Sequence, residues 1–235
     1  MALAPALKRA AATLALFDLD HTLLDGDSDQ LWCDFLMDQG LLDRARFEPL
    51  NRAMAESYRD GSVGAQAFCE FYVGTLVGRT ADQWQAQREV FLHERVLPRL
   101  LPAGRECIEA HRQQGHELVL TTATNRFITE LTARSLGIEH VIATECEIGA
   151  DGRFTGAAAG TLNMREGKLV RLRQWLAARG RDLANEDSIF YSDSINDLPL
   201  LAAVRRAVAV DPDARLRAEA HARGWPVRRW RTRAA

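Results

Sequence analysis

Lysine is almost missing from this chain. Of its 30 basic residues only Lys8 and Lys168 are lysines, so arginine carries nearly all the positive charge. Arginine serves surface charge and bidentate pairing, whereas lysine is a compact point charge that can lie close to a phosphate, which singles out Lys168. Neither sign of charge dominates, and a net charge of -2 excludes an overall pull toward nucleic acid or anionic membranes. The four cysteines, Cys33, Cys69, Cys107 and Cys146, are far apart, with no Cys-x-x-Cys and no His at zinc-finger spacing. That pattern excludes a zinc module and leaves reduced, mostly buried thiols as the expectation. No apolar run is long enough for a membrane span. The stretch from Ala2 to Leu16 is interrupted by Lys8 and Arg9 and runs straight into a strand pattern rather than a cleavage site. Neither a signal peptide nor a membrane partner is therefore expected, and the cytoplasm is the expected location. Internal repeats and low-complexity segments are also missing, and 235 residues suffice for one large domain or a core with an insert. Nothing in the chain marks an oligomer interface.

What is there begins at residue 13. Thr13 to Phe17 is a short apolar run, the pattern of a strand covered on both faces, and Asp18 and Asp20 follow it directly. Alternate residues of an extended segment share a side, so the two carboxylates repel unless a cation or a proton relieves them. One reading is a hard divalent cation with one carboxylate as nucleophile and the other moving a proton. The other is a solvated turn closing a strand.

After this strand the pattern turns helical until about residue 96. Asp27 with Gln30 has capping-box-like spacing ahead of an apolar face from Leu31 to Leu36. Pro49 fits the first turn of a helix carrying Leu50 and Met54, with Gly61 as its end. Phe68, Phe71 and Tyr72 mark another helix, and Thr80 with Gln83 caps one bearing Trp84 and Phe91. No strand is expected within 26–98. Beyond Pro102 strand and helix alternate: helix 104–114, strand Glu117 to Thr121, a helix ending near Gly137, strand Val141 to Ala143, a hairpin arm over 148–160, helix 167–179, strand Ser188 to Tyr191, helix Leu198 to Val204 and strand Ala207 to Val210. The fold class is thus α/β, a Rossmann-like parallel sheet core (1–25 and 99–235) with an inserted all-helical cap (26–98).

Ligands in such a sheet sit beyond the carboxyl ends of the strands. Asp18 and Asp20 end the first, Thr121 and Thr122 the second, and Asp193 with Asp197 follow a later one, while Lys168 lies on the helix before it. These are the parts that phosphoryl transfer needs. Asp18-Leu-Asp-His-Thr-Leu, Thr121, Lys168 and Asp193-Ser-Ile-Asn-Asp197 resemble the four motifs of the haloacid dehalogenase superfamily of phosphohydrolases, over about residues 13 to 210. Helices directly after the first motif look like the cap of its phosphoserine-phosphatase-like branch.

The resemblance implies a phosphomonoester hydrolase for a small phosphorylated metabolite. Asp18 would attack phosphorus to give an aspartyl-phosphate, and Asp20 would protonate the leaving alkoxide and later deprotonate water. Mg2+ would be held by the Asp18 carboxylate, the Asp20 main-chain carbonyl and Asp193. Thr121 and Lys168 would bind phosphate oxygens, with Asn196 and Asp197 orienting Lys168 and metal-bound water. Asp27 stands where phosphoserine phosphatases carry a Glu that contacts the substrate amino group, so it either does the same or merely caps a helix. That change, with Ser192 where many relatives have Gly, points away from phosphoserine, and relatives with this arrangement include enzymes suited to histidinol phosphate. An alcohol in place of water as acceptor would make the chain a phosphotransferase. A non-catalytic phosphometabolite-binding protein is disfavoured because every motif acid is present. His21 reads as a local packing residue. The end from Arg223 to Arg233, with Trp225 and Trp230, reads as a last strand with solvated charges rather than a nucleic-acid contact.

Overall fold

The strand LALF, Leu14–Phe17 (β1), is buried along its whole length. Apolar on both faces, it stays out of water only inside a sheet covered on both sides. The computed structural model describes residues 12 to 231. Lys8, Arg9 and, at the other end, Arg233 lie outside the described residues. Four helices follow β1: α1 (Ser28–Asp38), α2 (Arg44–Asp60), α3 (Ala65–Val73) and α4 (Ala81–Phe91). Short π and 3-10 turns over 92–99 lead to α5 (Pro102–Gln113). Then come β2 (Glu117–Asn125), α6 (Arg126–Ser135), β3 (His140–Ile148), β4 (Phe154–Ala159), α7 (Glu166–Ala177), β5 (Ser188–Ser192), α8 (Leu198–Leu201), β6 (Arg206–Val210), α9 (Ala214–Arg223) and β7 (Val227–Arg228).

The seven strands form one sheet in the order β4-β3-β2-β1-β5-β6-β7, parallel except for β4, which returns antiparallel on β3. β1 lies at the centre, paired with β2 on one side and β5 on the other. Its alternate residues go to opposite layers: Ala15 and Phe17 join a core with Trp32, Phe91, Ile108 and Ile128, while Leu14 and Leu16 join one with Leu172, Leu200 and Leu216. No helix among the described residues is long and apolar enough to cross a membrane.

The helix caps follow the sequence closely. Asp27 accepts from the Gln30 N–H at 3.0 Å, Thr80 and Gln83 form a full capping box, and Gly61 closes α2 at φ 80°. Four expectations shift. Pro49 lies inside α2 rather than in its first turn, because Asp43 caps the helix earlier, accepting from the Ala45 N–H at 3.0 Å. Pro102 opens α5 instead of breaking the chain before it, since its missing N–H costs nothing at a helix start. β2 runs on to Asn125, held by β3. The helix expected to reach Val204 stops at Leu201.

One glycine is sterically obligatory. A Cβ on Gly167 would stand 1.9 Å from the Leu162 carbonyl oxygen, a backbone atom that cannot turn aside. Gly167→Ala is therefore expected to lower stability by about 1–3 kcal/mol, the range for overpacking, and to displace Lys168 beside it. Urea unfolding measures the loss, and an unchanged midpoint would contradict the clash.

Candidate active site

The carboxyl ends of β1, β2 and β5 open on a cavity of about 300 Å³, large enough for a small metabolite. Asp18, Asp20, Lys168, Asp193, Asn196 and Asp197 line it from the sheet, and Asp27, Gln30, Tyr58, Arg59 and Phe68 from the helices inserted after β1. Residues as far apart as Asp18 and Lys168 thus meet at one point because α7 begins at the edge where the parallel strands end.

Lys168 is the electrostatic centre. Its Nζ donates to Asp18 Oδ1 and to Asp197 Oδ2, both at 2.7 Å, with all three side chains buried. Burial alone would depress the Lys168 ammonium, but the Asp18 and Asp197 carboxylates outweigh it and hold it above the ordinary lysine range. Ser192 donates from its hydroxyl to Asp197 Oδ2 at 2.7 Å, so the serine in that position braces the carboxylate that orients Lys168.

Asp18 and Asp193 share a single hydroxyl. Thr22 Oγ1 lies 3.0 Å from Asp18 Oδ2 and 3.2 Å from Asp193 Oδ1, and it accepts from the Asp193 N–H at 3.0 Å. One hydrogen cannot serve two carboxylates, and four acids stand around one lysine. Burial, then the nearby Asp197 and Asp20 charges, push the Asp18 carboxyl up to about 7 against the pull of Lys168. Burial followed by Asp18 and Asp197 likewise raises Asp193 well above the carboxylate range.

Asp20 is held differently. Oδ1 accepts from the Ser28 N–H (2.7 Å) and hydroxyl (2.6 Å), and Oδ2 from the hydroxyls of Thr122 and Thr124 at 3.0 Å each. Here the structure corrects the sequence reading. Thr121 does not line the cavity; its hydroxyl accepts from Asn163 Nδ2 at 3.1 Å on the other face of β2. Neighbouring residues of a strand point to opposite faces, so only one of two adjacent threonines can turn toward Asp20, and it is Thr122.

Asp27 both caps α1 and lines the cavity. Burial first, and then the Asp20 carboxylate, raise its carboxyl to about 7. Asn196 lines the cavity beside the Tyr58 hydroxyl, which reaches it from α2. His21, at φ 58°, also lines it, and its carbonyl accepts from Arg231 at 2.8 Å. The sequence reading missed Thr124, Ser28, Tyr58, Arg59 and Arg231. A period-two pattern from Leu118 through Thr122 to Thr124 was the available signal for Thr124; nothing local marked the others.

Residues 15–202 match the haloacid dehalogenase-like hydrolase family model, and the chain belongs to that family. Among its relatives, a histidinol-phosphatase of Neisseria meningitidis serogroup C (strain 8013) is 40% identical over 215 residues, 91% of this chain and 97% of that protein. A phosphoserine phosphatase of Mycobacterium tuberculosis (strain H37Rv) is 32% identical over 227 residues, 92% of this chain and 70% of that one. A Bordetella pertussis Tohama I protein of unknown function has a crystal structure matching with TM-score 0.88 at 43% identity, covering 93% of this chain and 99% of that one. A phospho-aspartyl intermediate analogue of phosphoserine phosphatase matches with TM-score 0.68 at 15% identity over 94% of each chain, which shows the shared fold.

Proposed function

We propose that this chain is a cytoplasmic, Mg2+-dependent phosphatase that hydrolyses a small, amino-bearing phosphomonoester through an aspartyl-phosphate on Asp18. The observation that carries the reading is the pairing of two unlike carboxylates on one cavity: Asp18, bound to Lys168 at 2.7 Å, and Asp20, held by four donors. Asp18 attacks phosphorus; Asp20, an acceptor of four hydrogen bonds in the free enzyme, takes up a proton when substrate binds, one hydroxyl contact turning to accept, and gives that proton to the departing alkoxide oxygen. In the second half Asp20 takes a proton from water as the water oxygen attacks the phosphoryl group on Asp18. Lys168, oriented by Asp197, balances charge on the transferring phosphoryl oxygens.

The residues fit Mg2+. Asp18 and Asp193 bring surplus negative charge together, with a single hydroxyl hydrogen between them. A cation that keeps several waters and takes one or two carboxylates suits that pair, and Asp18, Asp193 and the Asp20 carbonyl are the residues that would hold it. When bound, the ion supplies positive charge between the acids and the incoming dianion. The four cysteines are all free, in keeping with a reducing compartment.

The division into a core (1–25, 99–235) and a helical cap (26–98) is supported where the chain crosses between them. The Asp25 N–H donates to the Arg99 carbonyl at 2.8 Å and the Leu101 N–H to the Leu23 carbonyl at 2.9 Å, so both connections run side by side.

For the leaving group, the cap offers Asp27 and an apolar wall from Tyr58 and Phe68, whose ring centroids are 4.6 Å apart. An ammonium against Asp27 and a flat ring against the aromatic wall describe histidinol phosphate better than phosphoserine. The test is phosphate release from a panel of phosphomonoesters, including both, with Mg2+ and with EDTA. Metal-dependent release concentrated on histidinol phosphate is expected. Release from none would overturn the reading, and transfer to an added alcohol would replace hydrolase by phosphotransferase.

Asp27 also gives the site a pH dependence. Its carboxyl becomes charged as pH rises through about 7, so KM for an amino-bearing ester is expected to fall over that interval. Asp27→Asn keeps a helix cap but should lose this dependence. Because the folded value lies above the usual 3.8, the same group stabilises the fold at low pH and loses that contribution as pH rises through about 7. Unfolding of wild type and Asp27→Asn across this range checks the sign.

A further inference from the structure

The hydrogens around Asp20 do not balance if every carboxyl is ionised. Ser28 and Thr124 bring one hydroxyl hydrogen each, and four contacts compete for them. Ser28 Oγ lies 2.6 Å from Asp20 Oδ1 and 3.1 Å from Thr124 Oγ1, while Thr124 Oγ1 lies 3.0 Å from Asp20 Oδ2 and 3.0 Å from Asp29 Oδ2. The shortest contact takes the serine hydrogen. Thr124 can then donate to Asp20 or to Asp29, but not to both.

Asp29 decides the matter by its surroundings. It lies in the first turn of α1, 2% exposed, and its Oδ1 has no hydrogen-bond partner. It forms no ion pair among the described residues, and its other neighbours, Cys69, Tyr72, Asn125 and Thr144, are uncharged as buried groups at neutral pH. An ionised Asp29 would be a buried charge with one hydrogen bond, whereas an un-ionised one satisfies the contact with its own proton. Burial first, and then the like charges of Asp27 and Asp20, also hold this carboxyl well above the usual range.

We propose that Asp29 is an un-ionised carboxylic acid that donates its hydrogen to Thr124, so that Thr124 donates to Asp20 and fixes the side chain of the acid-base carboxylate. Asp29 is a positioning residue two hydrogen bonds from the reacting atoms. The assignment of its effect on turnover rests on the role proposed for Asp20; its protonation state does not.

The protonation is read without substrate, from the infrared spectrum of wild type minus Asp29→Asn at neutral pH. The carbonyl stretch of an un-ionised carboxylic acid is expected in the wild type and lost in the variant, and its absence from the wild type would overturn the proposal. The role is read from kinetics. Asp29→Leu removes the donor and should lower kcat by about 10–100-fold with KM little changed, the range for losing a group that orients a functional residue. Asp29→Asn keeps an N–H donor toward Thr124 and an oxygen at Oδ1, and it should restore most of kcat. If Asp29→Asn is folded by circular dichroism yet as slow as Asp29→Leu, a neutral donor is not what the site uses. Should the leucine variant fail to fold, the infrared band and the ratio of wild type to Asp29→Asn still decide. A wild type that releases no phosphate would count against the phosphatase reading, while the infrared band would stand or fall by itself.

Discussion

Asp18→Asn is expected to lower kcat on the preferred phosphomonoester by on the order of 10⁴-fold or more, the scale on which enzymes lose activity when the nucleophile is removed. The amide is nearly the same size and still accepts a hydrogen bond from Lys168, but it cannot attack phosphorus. The variant should nevertheless fold. Asp18 is one of four acids around a single buried lysine, it shares the Thr22 hydrogen with Asp193, and Lys168 retains Asp197 at 2.7 Å when Asp18 becomes neutral. In metal-free buffer the thermal midpoint should therefore hold or rise. Phosphate release and a thermal melt on the same preparation test both halves. Near-full activity would remove Asp18 as nucleophile, and a collapsed melting curve would show that the carboxylate is structurally indispensable.

Lys168→Met should fail in both respects. The methionine fills a similar volume, but it leaves Asp18 and Asp197 buried with no cation between them. Removing one partner of a buried ion pair costs about 3–5 kcal/mol, because the remaining charge stays desolvated and unpaired. Loss of the ammonium opposite the phosphoryl oxygens should also lower kcat by about 10²–10³-fold, as when a preorganised electrostatic donor is removed. The two effects separate in the double variant Lys168→Met, Asp197→Asn. It removes one of the two orphaned charges and should regain part of the stability, while turnover stays low. If the single variant unfolds at the same urea concentration as wild type, the buried ion pair is not what holds this end of the sheet.

Much of the site was legible in the chain. The run from Thr13 to Phe17 is apolar at every position but the first, which fixes a central strand, and the acids that follow fall at its carboxyl end by necessity. The scarcity of lysine made Lys168 conspicuous, and it does stand between Asp18 and Asp197. Asp27 and Thr80 announced their helices through cap chemistry that acts over three residues. At Pro49 one local signal overrode another: the proline suggested a helix start, but the cap at Asp43 had already begun the helix.

The choice between Thr121 and Thr122 shows the boundary most clearly. Both are threonines in a strand, and nothing local tells which face of β2 will meet Asp20. That is set by the pairing of β2 with β1 and β3, and Thr124, two residues on from Thr122, reaches Asp20 as well. The chain by itself determined the acids, the lysine, the alternation of strands and helices, and the helical insert, because periodicity, apolar runs and caps are local signals. Only the tertiary structure decided which hydroxyls hold Asp20, that Tyr58 and Phe68 face the same cavity as Asp18, and that Asp29 lies buried behind Thr124. Most of those contacts join side chains tens of residues apart or more, such as Thr124 to Asp29 at a separation of 95, and their geometry comes from the packing of whole elements rather than from any segment alone.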